Sequence, residues 1–308
     1  MSLRIGTRGS KLALAQSEWV KAKIESEHPR IRVELVKIKT KGDRILDSPL
    51  SKIGGKGLFV KEIEDALLKS TVDLAVHSMK DVPAIIPEGL EIAVFPKRED
   101  PRDAFVSLKY KAIKQLPEGA RVGTSSLRRG AQVLHLRPDL RVIQMRGNVD
   151  TRIGKLDSGY VQALILASAG LMRLGLSKRI SSVLSPKEFL PAVGQGVLGV
   201  ELRRKDRRVK NLVEFLNDKE SEITARAERA FLEKLGGGCQ VPLAALARLK
   251  DDTIHIEGMV AEVDGSLILR KKIRGSREKP EEAGRCLAED LLSAGADRIL
   301  ARVYSETS

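Results

Sequence analysis

Short apolar runs alternate with amphipathic helical stretches in two successive series, and that alternation restricts the fold more than any other feature of the chain. In the first series, residues 3–6, 31–38 and 72–78 read as strands. Helices are expected over 11–27, with Leu12, Ala15, Trp19 and Val20 facing inward, and over 59–69. In the second, strands are expected over 121–123, 140–145 and 163–167, and helices after Thr124-Ser125-Ser126 and over 149–156. Pro96 and Pro101 flank the charged run between the series, which reads as a domain crossover. The glycine-rich stretch 190–201 reads as a second crossover that returns the chain to the first sheet as a strand over 197–201. A helix over 218–235, strands over 244–249, 253–263 and 266–273 with an Asp264-Gly265 hairpin, and a helix over 281–304 form a distinct tail. Cys286, in that last helix, is expected to be structural. The expected fold class is α/β, with two doubly wound domains and a small α+β C-terminal domain. The expected division is 1–96 with 197–214, then 102–190, then 219–308.

A chain of 308 residues has room for two or three domains. A formal charge of +14 calls for an anionic partner or a strongly positive cleft, and nucleic acid, acidic lipid and a polycarboxylate substrate all qualify. Aromatic residues at 3% are too sparse for a base-stacking platform, and Lys and Arg are not gathered on one element. The most apolar stretch, 163–172, is too short to span a bilayer, and residues 1–8 lack an apolar signal core. Two cysteines in so long a chain are not a disulfide framework. A cytoplasmic protein is expected.

The basic residues recur where strands end. Ser10 caps the first expected helix beside Arg8, and a helix start suits an anion. Taken alone, the pattern favours an ordinary cap beside a solvated arginine. The strand ending at residue 78 delivers Lys80 and Asp81, either a surface ion pair or a carboxylate held in a basic cleft to meet a developing cation. Thr124 and Ser126 offer hydroxyls ahead of Arg128 and Arg129; Arg146 and Arg152 follow the next strand, and Arg173 the third. Arginine is the side chain best suited to bidentate carboxylate binding, and phosphate fits the same geometry. Residues 43–57, with Lys52 and Lys56, read as a basic lid or a plain polar loop. Gly236-Gly237-Gly238-Cys239-Gln240-Val241-Pro242 presents a cysteine on a tight loop, either a poised thiol or a small buried hydrophobe.

Taken together and in order, several of these stretches resemble the hydroxymethylbilane synthase (porphobilinogen deaminase) family. They are Gly6-Thr7-Arg8-Gly9-Ser10, Gly54-Gly55-Lys56-Gly57-Leu58-Phe59, and Ala75-Val76-His77-Ser78-Met79-Lys80-Asp81-Val82-Pro83, then Glu99-Asp100-Pro101-Arg102-Asp103-Ala104 and Gly123-Thr124-Ser125-Ser126-Leu127-Arg128-Arg129. Arg146-Gly147-Asn148, Pro191-Ala192-Val193-Gly194-Gln195-Gly196 and Gly237-Gly238-Cys239-Gln240-Val241-Pro242 complete the set. The resemblance implies two domains like those of type II periplasmic binding proteins and a third small domain. It implies an enzyme that joins four porphobilinogen molecules into hydroxymethylbilane with loss of ammonia. It also implies a dipyrromethane cofactor bound through a thioether to Cys239, with Asp81 as the catalytic carboxylate. Arg8, Ser10, Lys80, Thr124, Ser126, Arg128, Arg129, Arg146 and Arg152 would bind that cofactor. Arg8, Arg146, Arg152 and Arg173 would bind substrate, Lys52 and Lys56 would belong to a lid, and no metal is expected. Replacing Arg128 or Arg146 by Leu is expected to impair binding more than stability. A monomer acting on a small molecule, without nucleic acid or membrane, is expected. The residues alone leave room for a non-enzymatic binding protein, for a nucleic-acid binder, and for a Cys-His hydrolase using Cys239 with His77 or His135.

Overall fold

The computed structural model describes residues 2–44, 57, 59–237 and 241–307. The chain begins with β1 (Ser2–Thr7), α1 (Lys11–Glu27), β2 (Arg32–Lys37), the single turn α2 (Lys41–Arg44), α3 (Lys61–Leu68), β3 (Leu74–Ser78) and β4 (Leu90–Val94). After the first crossover come β5 (Asp103–Val106), β6 (Arg121–Gly123), α4 (Leu127–Leu136), β7 (Arg141–Ile143), α5 (Val149–Asp157), β8 (Ala163–Ala167), α6 (Ser168–Arg173) and β9 (Ser182–Val183). The second crossover leads to β10 (Leu198–Arg203), α7 (Arg207–Val213) and α8 (Lys219–Lys234). The three strands β11 (Leu243–Lys250), β12 (Thr253–Ala261) and β13 (Ile268–Ser276) precede α9 (Pro280–Leu291) and α10 (Asp297–Thr307).

Two of the three sheets share one plan. Their strand orders are β2-β1-β3-β10-β4 and β7-β6-β8-β5-β9. In each, three strands run parallel and a fourth lies antiparallel between the third strand and an edge strand. That antiparallel strand follows a crossover: β5 after the first and β10 after the second. The central strands are covered on both faces and so read as unbroken apolar runs, as in Ala163-Leu164-Ile165-Leu166. In the first sheet Leu3, Ile5, Leu74 and Val200 pack against Val20 and Ile24 of α1 and Val209 of α7. Ile63 and Leu67 of α3 cover the opposite face over Ala75 and Leu90. The chain is α/β, with two such sheets and a third, smaller α+β unit.

In that third unit the antiparallel sheet β11-β12-β13 is covered on one face by Phe231 of α8, Leu287 of α9 and Ile299 of α10. Its other face, through Ala244, Leu246 and Met259, rests on Ala131 of α4 and on Leu190. The two crossovers touch: the Glu99 amide donates to the Gly196 carbonyl at 3.2 Å. Gly196 has φ +88°, and a Cβ there would stand 2.4 Å from the Glu99 carbonyl oxygen, so only glycine permits this approach. Glu228 of α8, fully buried, gathers both crossovers and the third unit on one carboxylate. It accepts from Arg98 Nη1 at 2.6 Å, the Gly194 amide at 2.7 Å and the Ala247 amide at 2.8 Å.

Some expectations change. Of the α1 residues expected inward, Val20 is buried, Leu12 and Ala15 are half-buried and Trp19 is 43% exposed, while Gln16, Ser17 and Ile24 are also buried. Gln16 and Ser17 turn inward because each has a partner there, Ser78 Oγ and Thr7 Oγ1, both at 2.8 Å. The strand expected over 140–145 ends at Ile143, because the Met145 amide turns to Ser125 Oγ. The final helical stretch is broken at Gly295, with φ 101°, and Cys286 is exposed.

Candidate active site

Asp81 ends a 3₁₀ turn, Met79–Asp81, directly after β3, where the carboxyl ends of parallel strands open onto a crevice. The side chain lines a small cavity of about 60 Å³ with Arg8, Ser10, Gln16, Phe59, His77 and Ser78. Ser10 caps α1, accepting from the Ala13 amide at 3.3 Å. The Arg8 guanidinium lies 4.2 Å from the centre of the Phe59 ring, which fixes its direction without a counter-charge on the ring. Gln16 donates to Ser78 Oγ and so braces the strand end that carries Asp81. Burial pushes the Lys80 ammonium below its ordinary value, while Asp81 opposes that shift.

The second sheet supplies the facing wall. Ser126 caps α4 by accepting from the Arg129 amide, and Thr124 Oγ1 accepts from the Ser126 amide at 3.2 Å. Arg128 and Arg129 are buried and converge on Asp103, the first residue of β5. Arg128 Nη1 reaches Asp103 Oδ2 and the Leu190 carbonyl, each at 2.7 Å; Arg129 Nη2 reaches Asp103 Oδ1 at 2.7 Å. Gln195 Nε2 adds a 3.0 Å bond to the same oxygen. Burial alone would raise the Asp103 carboxyl, but the two guanidinium groups outweigh it and hold it well below the carboxylate range.

Arg146 and Arg152 are placed differently. Arg146 Nη2 is buried with no hydrogen-bond acceptor among the described residues. Arg152 Nε donates to the Gly147 carbonyl at 3.0 Å. Burial, then the charges of Arg129 and Arg146, push Arg152 down to about 10. Burial lowers Arg173 as well, with Glu99 opposing, and its Nη2 donates to the Gly196 carbonyl at 2.8 Å. Ser168 Oγ at the start of α6 is buried without a partner among the described residues. Like charges crowded out of water, with one donor unfilled among the described residues, suit an anionic ligand with several carboxylates. A Lys11–Asp150 ion pair at 2.9 Å joins the two walls at the mouth of the cleft.

The structure thus brings together Arg8, Ser10, Lys80 and Asp81 on one wall and Thr124, Ser126, Arg128, Arg129, Arg146 and Arg152 on the other. Arg173 sits at the second crossover. Cys239, Lys52 and Lys56 lie outside the described residues. Reading the sequence alone missed Gln16, because a polar helix residue reads as solvent-facing, and gave no part to Gln195 or Asp103. Asp103 lies 25 residues from Arg128, beyond the reach of local spacing.

Comparison with known proteins gives the same answer over nearly the whole chain. Residues 3–211 match the family model "Porphobilinogen deaminase, dipyromethane cofactor binding domain", and residues 222–293 match the C-terminal domain of the same family. The porphobilinogen deaminase of Syntrophobacter fumaroxidans is 55% identical, over 98% of each chain. That of Syntrophotalea carbinolica is 54% identical over 97% of this chain and 95% of its own. A periplasmic substrate-binding protein of an ABC transporter from Coxiella burnetii superposes on 70% of this chain and 91% of its own, at 16% identity and TM-score 0.42. With two family models in sequence and more than half the residues shared with such relatives, this chain belongs to the porphobilinogen deaminase family.

Proposed function

We propose that this chain is a hydroxymethylbilane synthase, which deaminates porphobilinogen and joins four molecules head to tail on a dipyrromethane primer bound to Cys239. The observation that carries the reading is the buried Arg146 Nη2, without an acceptor among the described residues and crowded with Arg129 and Arg152. A group bearing acetate and propionate side chains fits that wall: it would give the orphan donor an acceptor and relieve the crowding that pushes Arg152 down. Arg146, Arg152 and the Ser126 and Thr124 hydroxyls would hold it, with Arg8, Ser10 and Lys80 on the opposite wall. When bound, the dipyrromethane supplies a nucleophilic pyrrole carbon at its free end. Asp81 faces the positive charge that develops on the substrate methylene as ammonia leaves, and its carboxylate takes the ring proton displaced in the coupling. Arg8, braced on Phe59, and Arg173 orient the incoming carboxylates. Arg128 and Arg129 keep the α4 end in place through Asp103.

The same reading divides the chain into 1–96 with 197–214, 102–190 and 219–308, each range holding one of the three sheets. It takes the protein as a cytoplasmic monomer, since both walls of the cleft come from one chain; no described helix is long and apolar enough to cross a membrane. Intact mass is the test. The purified protein should carry an excess equal to two pyrrole units that Cys239→Ser lacks, and porphobilinogen should add further units to the native protein only. No excess and no gain in mass with porphobilinogen would refute the reading.

A further inference from the structure

The loop that follows Asp81 has little means of holding its own shape. The Val82 amide closes the 3₁₀ turn on Met79 at 3.3 Å, and Pro83 has no N–H to give. Three consecutive carbonyls then point toward α8 and are met by one side chain. Arg229 donates through Nη2 to the Pro83 carbonyl at 2.7 Å and the Ala84 carbonyl at 2.9 Å, and through Nη1 to the Val82 carbonyl at 3.4 Å. A planar guanidinium can serve several acceptors at once, and a rotating ammonium cannot reproduce that arrangement. Burial lowers the Arg229 guanidinium, with Glu233 and Glu201 as the opposing charges, and its Nη1 and Nη2 donate to backbone carbonyls.

The same helix is fixed at its other contacts. Its cap residue Asp218 donates its amide to Phe95, and Ser221 Oγ accepts from the Arg98 amide, both at 2.8 Å. Glu228, adjacent to Arg229, takes the Arg98 guanidinium. At its C-terminal end α8 runs into Gly236 and Gly237, two residues before Cys239. One helix therefore grips the loop behind Asp81 and is followed in the sequence, five residues after its end, by Cys239.

We propose that Arg229 is a positioning residue that holds Asp81 in a fixed relation to α8, the helix that precedes Cys239 in the sequence. This rests on the reading that Asp81 acts in the coupling and Cys239 carries the primer. The register matters because each addition must present the same reacting atoms to the same carboxylate, and misplacement by about 1 Å costs on the order of a hundredfold in rate.

The test compares native protein, Arg229→Gln and Arg229→Lys, each with its primer measured by intact mass. The readout is the stepwise gain in mass from porphobilinogen, as a rate per primed molecule, with melting temperature recorded beside it. Arg229→Gln should slow addition about tenfold with KM changed less than threefold, and Arg229→Lys should fall between it and the native protein. Hydrogen exchange at the Val82 and Ala84 amides should rise in both. A merely structural role would lower melting temperature and the primed fraction while leaving the rate per primed molecule at the native value, and that result overturns the proposal. Should Arg229→Gln fail to fold, Arg229→Lys decides by the same rate. A native protein that gains no mass from porphobilinogen would sink the underlying reading as well, whereas native addition with undiminished rates in both variants sinks the proposal alone.

Discussion

Arg128 and Arg146 share a side chain and a wall of the cleft, yet their surroundings give them opposite liabilities. Arg128 is 4% exposed, and its Nη1 is committed to Asp103 and the Leu190 carbonyl. Arg128→Leu leaves Asp103 buried with one guanidinium fewer and should cost about 3 kcal/mol or more, read as a lowered denaturation midpoint. Arg146→Leu removes a buried donor that has no acceptor among the described residues, so stability should move by less than about 1 kcal/mol. It should instead lower the fraction of molecules carrying the two-pyrrole mass. The expectation that both are binding residues remains a proposal for each, and the Asp103 pair adds a stability cost for Arg128. The arginines were legible in the sequence because they recur at strand ends. Their sorting was not, because it depends on an aspartate far away along the chain and on which guanidinium nitrogens that aspartate consumes.

At the level of elements, α3, β3 and β10 meet at a buried group of ionisable side chains. His77 Nε2 lies 2.9 Å from Glu201 Oε2, and Glu201 Oε1 has no partner among the described residues. Burial, together with the Glu201 charge, raises Glu64 from an ordinary 4.5 to about 7, against the pull of His77. A carboxyl whose pKa rises on folding favours the folded state fully below 4.5, and that contribution fades as pH climbs through 7. Glu64→Gln should therefore match the native protein near pH 4.5 and become the more stable of the two by pH 7, with the gap level above that. Allowing for solvent reach, the gap should be about 1–2 kcal/mol, measured by denaturant unfolding across pH. A gap of the opposite sign would mean that the ionised carboxylate is the favoured form. The parallel strands of both sheets were legible as apolar runs. Strands β4, β5 and β9 were not picked out, because they lie beside or at antiparallel edges, are five residues or fewer, and carry no run long enough to stand out from a loop. The facing of α1 was missed for a related reason: its inward side is held partly by Gln16 and Ser17, whose hydrogen bonds no hydrophobic period reveals.

Across the whole molecule, the crossovers and the distinct tail were legible from prolines, glycines and the change in pattern, whereas the joining of all three units on Glu228 was not. The strand orders carry a kinetic prediction. Every strand of the second sheet lies between Asp103 and Val183, while the first sheet needs Leu198 opposite Ser78. Closing the longer loop is entropically slower. In pulse-labelled refolding, amides of β6 and β8 should gain protection before those of β3 and β10; simultaneous protection would mean that the two sheets form as one unit. During synthesis the same arrangement imposes an order in time. As the chain leaves the ribosome, its earliest strands emerge first but stand with a gap between β3 and β4 that only β10 can fill. The part of the protein made second is the first able to finish its sheet, and the part made first waits, its edges open to wrong pairing, until that inserted neighbour is complete.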